Sequence, residues 1–454
     1  MTQPDQDKIK PQLKTFDLTM IVAGLVIGMG IFRVPSEVAQ KAGIPLIFFL
    51  AWTTGAIVSF IGALTFAEIG SRYPVAGGFY KIFSHCYHPS FAFMVNWIVV
   101  ISNAASTAAV AIMGAEYIAP VLLPNVAHET AIPLITVSAT VTLYVINMIG
   151  IRVSAKLLNG LMLVKLSMLV LLISAVFMVS GHDANIAAAP PPMSPGDMFR
   201  AFAMCFIPVF FTYGGYQQTM NFGKDIPNAR KAMPRAIFYG ISIVLVMYLS
   251  VNYSFYKVLG FSGLAHATTI ASDICGLLFG SIAFKLVSVI MFLSVMAYVN
   301  VSVMSNPRIY FAMAEDNVLP PVFKRLNHRT QVQEFALTVF CVFILLTLFF
   351  LSSFQKILEY VMFFDSISLI TGAAAIFILR HRAKKEGDPK GIFKIKGYPY
   401  LPALYILVYA AVNISVFYAN PRAAGIGFLL FISGFPLYYI IRRALGRNRV
   451  EENS

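Results

Sequence analysis

Ile27-Gly28-Met29-Gly30-Ile31-Phe32 lies inside an apolar run from Leu18 to Phe32. A helix gains nothing from two glycines there, and each costs roughly 0.5–1 kcal/mol against alanine. In lipid, a helix is interrupted only where the freed backbone groups face protein, water or a ligand. Gly28-Met29-Gly30 therefore reads as a deliberate gap about half-way through a membrane crossing, and the rest of the chain as its surround.

Composition agrees. Of 454 residues, 58% are hydrophobic and 12% charged, with a mean hydropathy of +0.75; a soluble chain carries about 25% charged residues. The long unbroken apolar runs predict a helical integral membrane protein and exclude the alternating pattern of a transmembrane barrel. The polar start, with Lys8, Lys10 and Lys14, leads into an apolar run too long for a signal core, so no cleavable signal peptide is expected. Cys86, Cys205, Cys275 and Cys341 are scattered, lack disulfide or metal-ligand spacing, and read as packing residues.

Twelve apolar spans follow one another: 17–35, 45–70, 91–122, 131–150, 157–180, 197–222, 235–258, 282–312, 334–352, 358–379, 401–418 and 423–443. The weakly apolar run 262–275 reads as a lid-like outer loop. Most of the 34 Lys and Arg fall in alternate connections and at the two ends, with Arg380, Arg382, Lys384, Lys385, Lys390, Lys394 and Lys396 crowded between spans ten and eleven. This asymmetry predicts cytoplasmic termini. It also accounts for the net charge of +14 as a solvated loop surface, without nucleic acid. Ala187-Ala188-Ala189-Pro190-Pro191-Pro192 reads as a stiff outer connector.

Span six carries a second interruption, Phe211-Thr212-Tyr213-Gly214-Gly215-Tyr216, with Pro208 one turn earlier. Glycines in membrane helices also serve close packing. Interruptions in the first and sixth spans instead match what inverted repeats of spans 1–5 and 6–10 require, and broken helices at corresponding positions point to a transporter's binding site. Half-helix N-termini suit a carboxylate and unwound carbonyls suit an ammonium. An α-amino acid has both.

Four stretches resemble the amino acid–polyamine–organocation superfamily and, within it, the L-type amino acid transporters. Ile27-Gly28-Met29-Gly30-Ile31-Phe32 is similar to that family's first-helix motif. Gly62-Ala63-Leu64-Thr65-Phe66-Ala67-Glu68-Ile69-Gly70, with Pro74 and Gly77-Gly78-Phe79-Tyr80, resembles its second-helix motif. Tyr213-Gly214-Gly215-Tyr216 resembles its sixth-helix motif, and Asn306-Pro307-Arg308 through Leu319-Pro320 its eighth-helix motif. The resemblance implies an all-α integral membrane fold of twelve transmembrane helices. Its core would be a five-plus-five, LeuT-like inverted repeat with helices 1 and 6 unwound mid-membrane, plus two extra helices. The expected divisions are a tail at 1–16, repeats at 17–180 and 197–380 around an outer loop at 181–196, a basic loop at 381–400, the last two helices at 401–443, and a tail at 444–454.

The resemblance also implies roles. Gly28 would open the gap. The N–H groups of Met29, Gly30 and Ile31 would hold the substrate carboxylate, and the carbonyls of Ile27, Phe211 and Gly214 its ammonium. Met29 is bulkier than the family's usual small residue, which predicts a narrower pocket. Tyr216 stands where a Trp is usual, so no tryptophan gates the pocket from span six.

Lys165, within Val164-Lys165-Leu166, is an ammonium inside span five. Such a group costs about 2.5–3.5 kcal/mol on insertion scales, and a functional reading competes with snorkelling. In the family, a lysine here stands where sodium-coupled relatives bind an ion, so Lys165 is expected to bridge the first-helix gap and Ser302 and to remove any sodium requirement. Asp365 aligns with a pocket-lining position that is usually neutral. It could meet a polar or cationic side chain, carry a proton, or pair outside the pocket. Glu68 and Glu116 read as structural or interfacial.

The expected function is sodium-independent transport of small or medium neutral L-amino acids, by exchange or proton coupling, with Met29, Ser106, Thr107, Phe211, Tyr216 and Asp365 shaping the choice. Carriage of cationic amino acids or polyamines through Asp365 is the alternative. A channel needs rings of like groups, and a membrane enzyme its own motifs; H-E-x-x-H and G-x-S-x-G are absent, and His85 and His88 lie in a connection. No cofactor or metal is expected. Heavy-chain-linked relatives carry a cysteine between spans three and four. Pro124-Asn125-Val126-Ala127-His128-Glu129 has none, which predicts a monomer in a bacterial inner membrane without a disulfide-linked partner.

Overall fold

A computed structural model describes residues 9–28, 30–178, 193–267, 270–279, 281–350, 354–419 and 421–451. Met29, residues 1–8 and residues 179–192, which hold the Pro-rich connector, lie outside the described residues.

The chain runs α1 (Thr15–Val26), α2 (Gly30–Ala42), α3 (Pro45–Arg72), α4 (Gly78–Cys86), α5 (Pro89–Leu122), α6 (His128–Ile149), α7 (Ile151–Met178) and α8 (Pro195–Tyr213). After a 3-10 turn at Tyr216–Asn221 come α9 (Ala229–His266), α10 (Ile270–Phe279), α11 (Ser281–Ser305), α12 (Pro307–Glu315), α13 (Glu334–Phe350), α14 (Phe354–Glu386), α15 (Tyr400–Ala419) and α16 (Pro421–Glu451). Prolines open α3, α5, α8, α12 and α16, where a missing N–H costs no helical bond. Among the described residues, ten crossings are long and apolar enough to span a membrane, counting α1 with α2, α8 with its 3-10 turn and α11 with α12 as one each. The shorter apolar α13 and the 33-residue α14 stand where the ninth and tenth expected spans fall.

Two connections are more structured than expected. α4 lies between the second and third spans. Within the run 262–275, residues 262–266 form the end of α9 beyond a kink at Gly260, and residues 270–275 open α10. Ile270, Ala271, Ile274 and Cys275 are buried. α10 has ten residues, too few to cross a bilayer, so a reading for spans passes over it. The carbonyl of Ala265 receives Ser36 Oγ at 3.1 Å and Gln40 Nε2 at 2.6 Å, fastening this segment to α2.

α1 packs on α9, α7 and α11, and α2 on α8 and α9, so both halves of the broken helix sit among the central helices. α15 and α16 pack outside, on α14, α3 and α5. The end of the bundle that holds the N-terminal residues is tied by charge. Glu68, fully buried, receives Arg72 Nε at 2.8 Å, Arg380 Nε and Nη2 at 2.8 and 2.7 Å, and the Ile395 amide at 2.8 Å. This is the structural role expected of it. Arg308 pairs with Asp225 through two bonds of 2.7 and 2.9 Å, both side chains buried, and also donates to the Met304 carbonyl. Lys81 reaches Asp316 at 2.5 Å, and Lys224 reaches Glu315 at 2.9 Å. Asp225→Ala strands the buried Arg308 guanidinium and is expected to cost about 3–5 kcal/mol. The check is the thermal midpoint of the purified protein, which should fall by several degrees and recover when Arg308→Met is added.

Candidate functional site

The first interruption begins where α1 stops. The Ile27 amide still donates to Ala23 at 2.7 Å, and the Gly28 amide turns back to the Val26 carbonyl at 2.8 Å. The chain re-enters a helix at Gly30. Side chains from two other helices meet the freed carbonyls. Tyr248 Oη of α9 donates to Val26 at 3.1 Å, and Lys165 Nζ of α7 donates to Ile27 at 2.5 Å. Lys165 is only 1% exposed, so it does not snorkel to water.

The second interruption lies against the first. α8 ends at Tyr213, and the Gly214 amide returns to the Phe211 carbonyl at 3.2 Å. Gly215 has φ +112°, a left-handed conformation that side chains disfavour, and a Cβ there would run into the Leu25 carbonyl. Its amide is held by Gln217 Oε1 at 3.0 Å. Across the gap, a Cβ on Gly30 would lie 3.0 Å from the Thr212 side chain. The start of α2 and the end of α8 approach this closely because residue 30 is glycine.

The structure thus brings together Ile27, Gly28, Gly30, Ile31, Phe211, Gly214 and Lys165. The first amides of α2 have no partner inside their helix and form its positive end, while the Ile27 carbonyl keeps a lone pair beyond the one Lys165 uses. The pair of breaks offers N–H groups and carbonyls side by side, as a carboxylate and an ammonium on one carbon require. Phe211 is 40% exposed between the buried Phe210 and Thr212, so its ring faces open space.

Other expected residues sit apart. Tyr216 is 0% exposed, its hydroxyl 3.0 Å from Tyr405 Oη and its ring beside Phe66, turned toward α3 and α15. Ser302 hydrogen-bonds Thr107 Oγ1 at 2.6 Å and Asn306 Nδ2 at 3.2 Å, and Asn306 also receives Asn103 at 2.7 Å. Among the described residues, Lys165 bonds Ile27, and Ser302 belongs to this α5–α11 set. Asp365 is half-buried on α14. Ser106 lies 3.4 Å from the Tyr298 hydroxyl, whose ring flanks Gly28. Tyr248, Gln217 and Tyr298 escaped sequence reasoning, because a lone tyrosine or glutamine in or beside an apolar run carries no signal of its own. Among the described residues, no group of three His, Cys, Asp or Glu comes together to hold a metal ion.

Two substitutions separate the parts. Lys165→Ala removes the donor to Ile27 and is expected to cut transport at least about tenfold while the protein stays monodisperse on gel filtration. Gly215→Ala forces a Cβ against Leu25 and is expected to lower the thermal midpoint, as read by a melting curve in detergent.

Comparison with known proteins places this geometry. The family model described as amino acid permease matches residues 13–441. The chain is 29% identical over 434 residues to the serine/threonine exchanger SteT of Bacillus subtilis, covering 94% of this chain and 96% of that one. It is 25% identical over 450 residues to the human cystine/glutamate transporter, covering 96% and 87%. It is 25% identical over 442 residues to the mouse large neutral amino acids transporter small subunit 2, covering 95% and 81%. A match over nearly the whole length, on a helical fold with its first and sixth spans broken side by side, means that the chain belongs to the amino acid permease family.

Proposed function

We propose that this protein carries L-amino acids across a membrane by alternating access, without sodium, and exchanges one amino acid for another. The observation that carries this reading is the first break, held open by Lys165 on Ile27 and laid against the break at Gly214 and Gly215. The substrate carboxylate sits on the amides of Gly30 and Ile31, with Met29 completing the set by its place in the motif. The ammonium sits on the carbonyls of Ile27, Phe211 and Gly214. The activities for which the relatives are named, serine/threonine exchange and cystine/glutamate and large neutral amino acid transport, support amino acids as cargo and exchange as the mode.

Lys165 supports sodium independence. Its ammonium stands at the carbonyl that a bound cation would need, and a fixed positive charge there repels a second one. The two repeats are assigned to 17–180 and 197–380, with the rocking of one against the other exposing the breaks to each side in turn. The crowding of basic residues at alternate connections supports cytoplasmic termini in an inner membrane. The connection at 123–127, free of cysteine, supports a single-chain carrier.

Purified protein in liposomes tests the reading. Labelled serine, alanine, leucine, glutamate and ornithine are offered with and without internal amino acid, sodium or a pH gradient. Uptake is expected only into loaded vesicles and unchanged when choline replaces sodium. Strict sodium dependence would overturn the role of Lys165, and equal uptake into empty vesicles would overturn exchange.

A further inference from the structure

The transport reading leaves Asp365 without a task. It is a carboxylate within a membrane-spanning helix, where an acidic group is costly and needs a cation or a donor beside it. Among the described residues, it makes no hydrogen bond and no ion pair, yet it keeps accessible surface. Lys165 bonds the Ile27 carbonyl instead.

Three observations set where that carboxylate looks. Gly372 lies two turns further along α14, and a Cβ there would stand 3.1 Å from Phe66 and 3.4 Å from Phe79. Residues seven apart share a helix face, so the face that carries Asp365 turns toward the bundle interior rather than lipid. The carboxylate is within electrostatic reach of the hydroxyls of Tyr298 on α11 and Tyr409 on α15. The Tyr298 ring, in turn, lies 3.9 Å from where a Cβ on Gly28 would be, and its hydroxyl is 3.4 Å from Ser106. One tyrosine therefore spans from the gap in the first helix to the neighbourhood of the carboxylate.

We propose that Asp365, with Tyr298 and Ser106 beside it, forms the side-chain end of the amino-acid pocket and selects substrates whose side chain ends in a hydrogen-bond donor, a hydroxyl or an ammonium. The inference rests on the amino-acid reading. The gap takes the groups common to all amino acids; the carboxylate takes the group that differs. An apolar side chain of the same length leaves the carboxylate without a donor and loses by that penalty, because a buried charged acceptor left unmade costs more than a neutral one.

Isosteric pairs test this in proteoliposomes by competition against a labelled substrate. Serine is set against 2-aminobutyrate and ornithine against norleucine, for the wild-type protein, Asp365→Asn and Asp365→Ala. The first pair reads a hydroxyl and the second an ammonium. In the wild type, at least one donor-bearing member is expected to compete about tenfold better than its apolar isostere, equivalent to about 1.4 kcal/mol. Asp365→Ala should bring that ratio close to one by strengthening competition from the apolar members, since no carboxylate is then left without a donor. Monodispersity on gel filtration and retained uptake of the labelled substrate show that the variant is folded and transporting. Asp365→Asn should keep part of the serine preference and lose the ornithine preference. Ratios near one in an active wild-type protein, or a wild-type preference unchanged in Asp365→Ala, overturn this inference alone. A wild-type protein that takes up none of the panel overturns the amino-acid reading and this inference together. A loss of pH dependence in the variants without a change in either ratio would assign the carboxylate to proton handling and also overturns it.

Discussion

A backbone carbonyl released from a helix inside an apolar medium must be met by something, and the medium itself supplies nothing. At the first break, the Val26 and Ile27 carbonyls are met by Tyr248 and Lys165, which come from α9 and α7. At the second, the amides of Gly214 and Gly215 are met by Phe211 and Gln217 from the same stretch of chain. The asymmetry matters. The amides of the second break are met locally, whereas the carbonyls of the first depend on two other helices. Anything that displaces α7 or α9 relative to α1 reshapes the first gap, and anything that binds in the gap is felt by both.

The same logic runs through the charged end of the bundle. Glu68 is fully buried and would be intolerable alone; four donors from α3, α14 and the connection before α15 surround it. Asp225 and Arg308 neutralise each other between the turn after the second break and α12. These pairs join elements far apart in sequence and tie α3 to α14 and the turn at residue 225 to α12. Charge pairs of this kind contribute less to net stability than to a unique arrangement, because desolvation offsets most of their attraction.

Much of this was legible from residue types whose presence costs something. Glycines at 28, 30, 214 and 215 and a lysine at 165 are expensive where they stand, so each announces a purpose before any coordinate is known. Asp365 announces itself in the same way. What stayed hidden was what costs nothing locally. Tyr248 and Tyr298 are ordinary residues in apolar helices, and only the fold brings their hydroxyls to the gap and its surroundings. Tyr216 follows a glycine pair and so reads as pocket-lining, yet its direction is set by the left-handed turn at Gly215, which swings it onto Tyr405. The helix at 270–279 was hidden by its length: ten residues are too few to register as a span. The Asp225–Arg308 pair spans 83 positions, and nothing in either neighbourhood names the other.

Asp225 does two things at once. Its carboxylate holds Arg308, while its carbonyl receives the amides of Gln12 and Leu13 at 2.8 and 2.9 Å. The amide of Lys10, two residues before Gln12, ties the same tail to the Gln331 side chain. Residues 10–13 are thus buttoned onto the turn that carries the Asp225–Arg308 pair. A pull on residues 10–13 is therefore transmitted to the residue that holds Arg308. The tail is a handle on that ion pair: whatever displaces it also loads the link between the turn at residue 225 and α12.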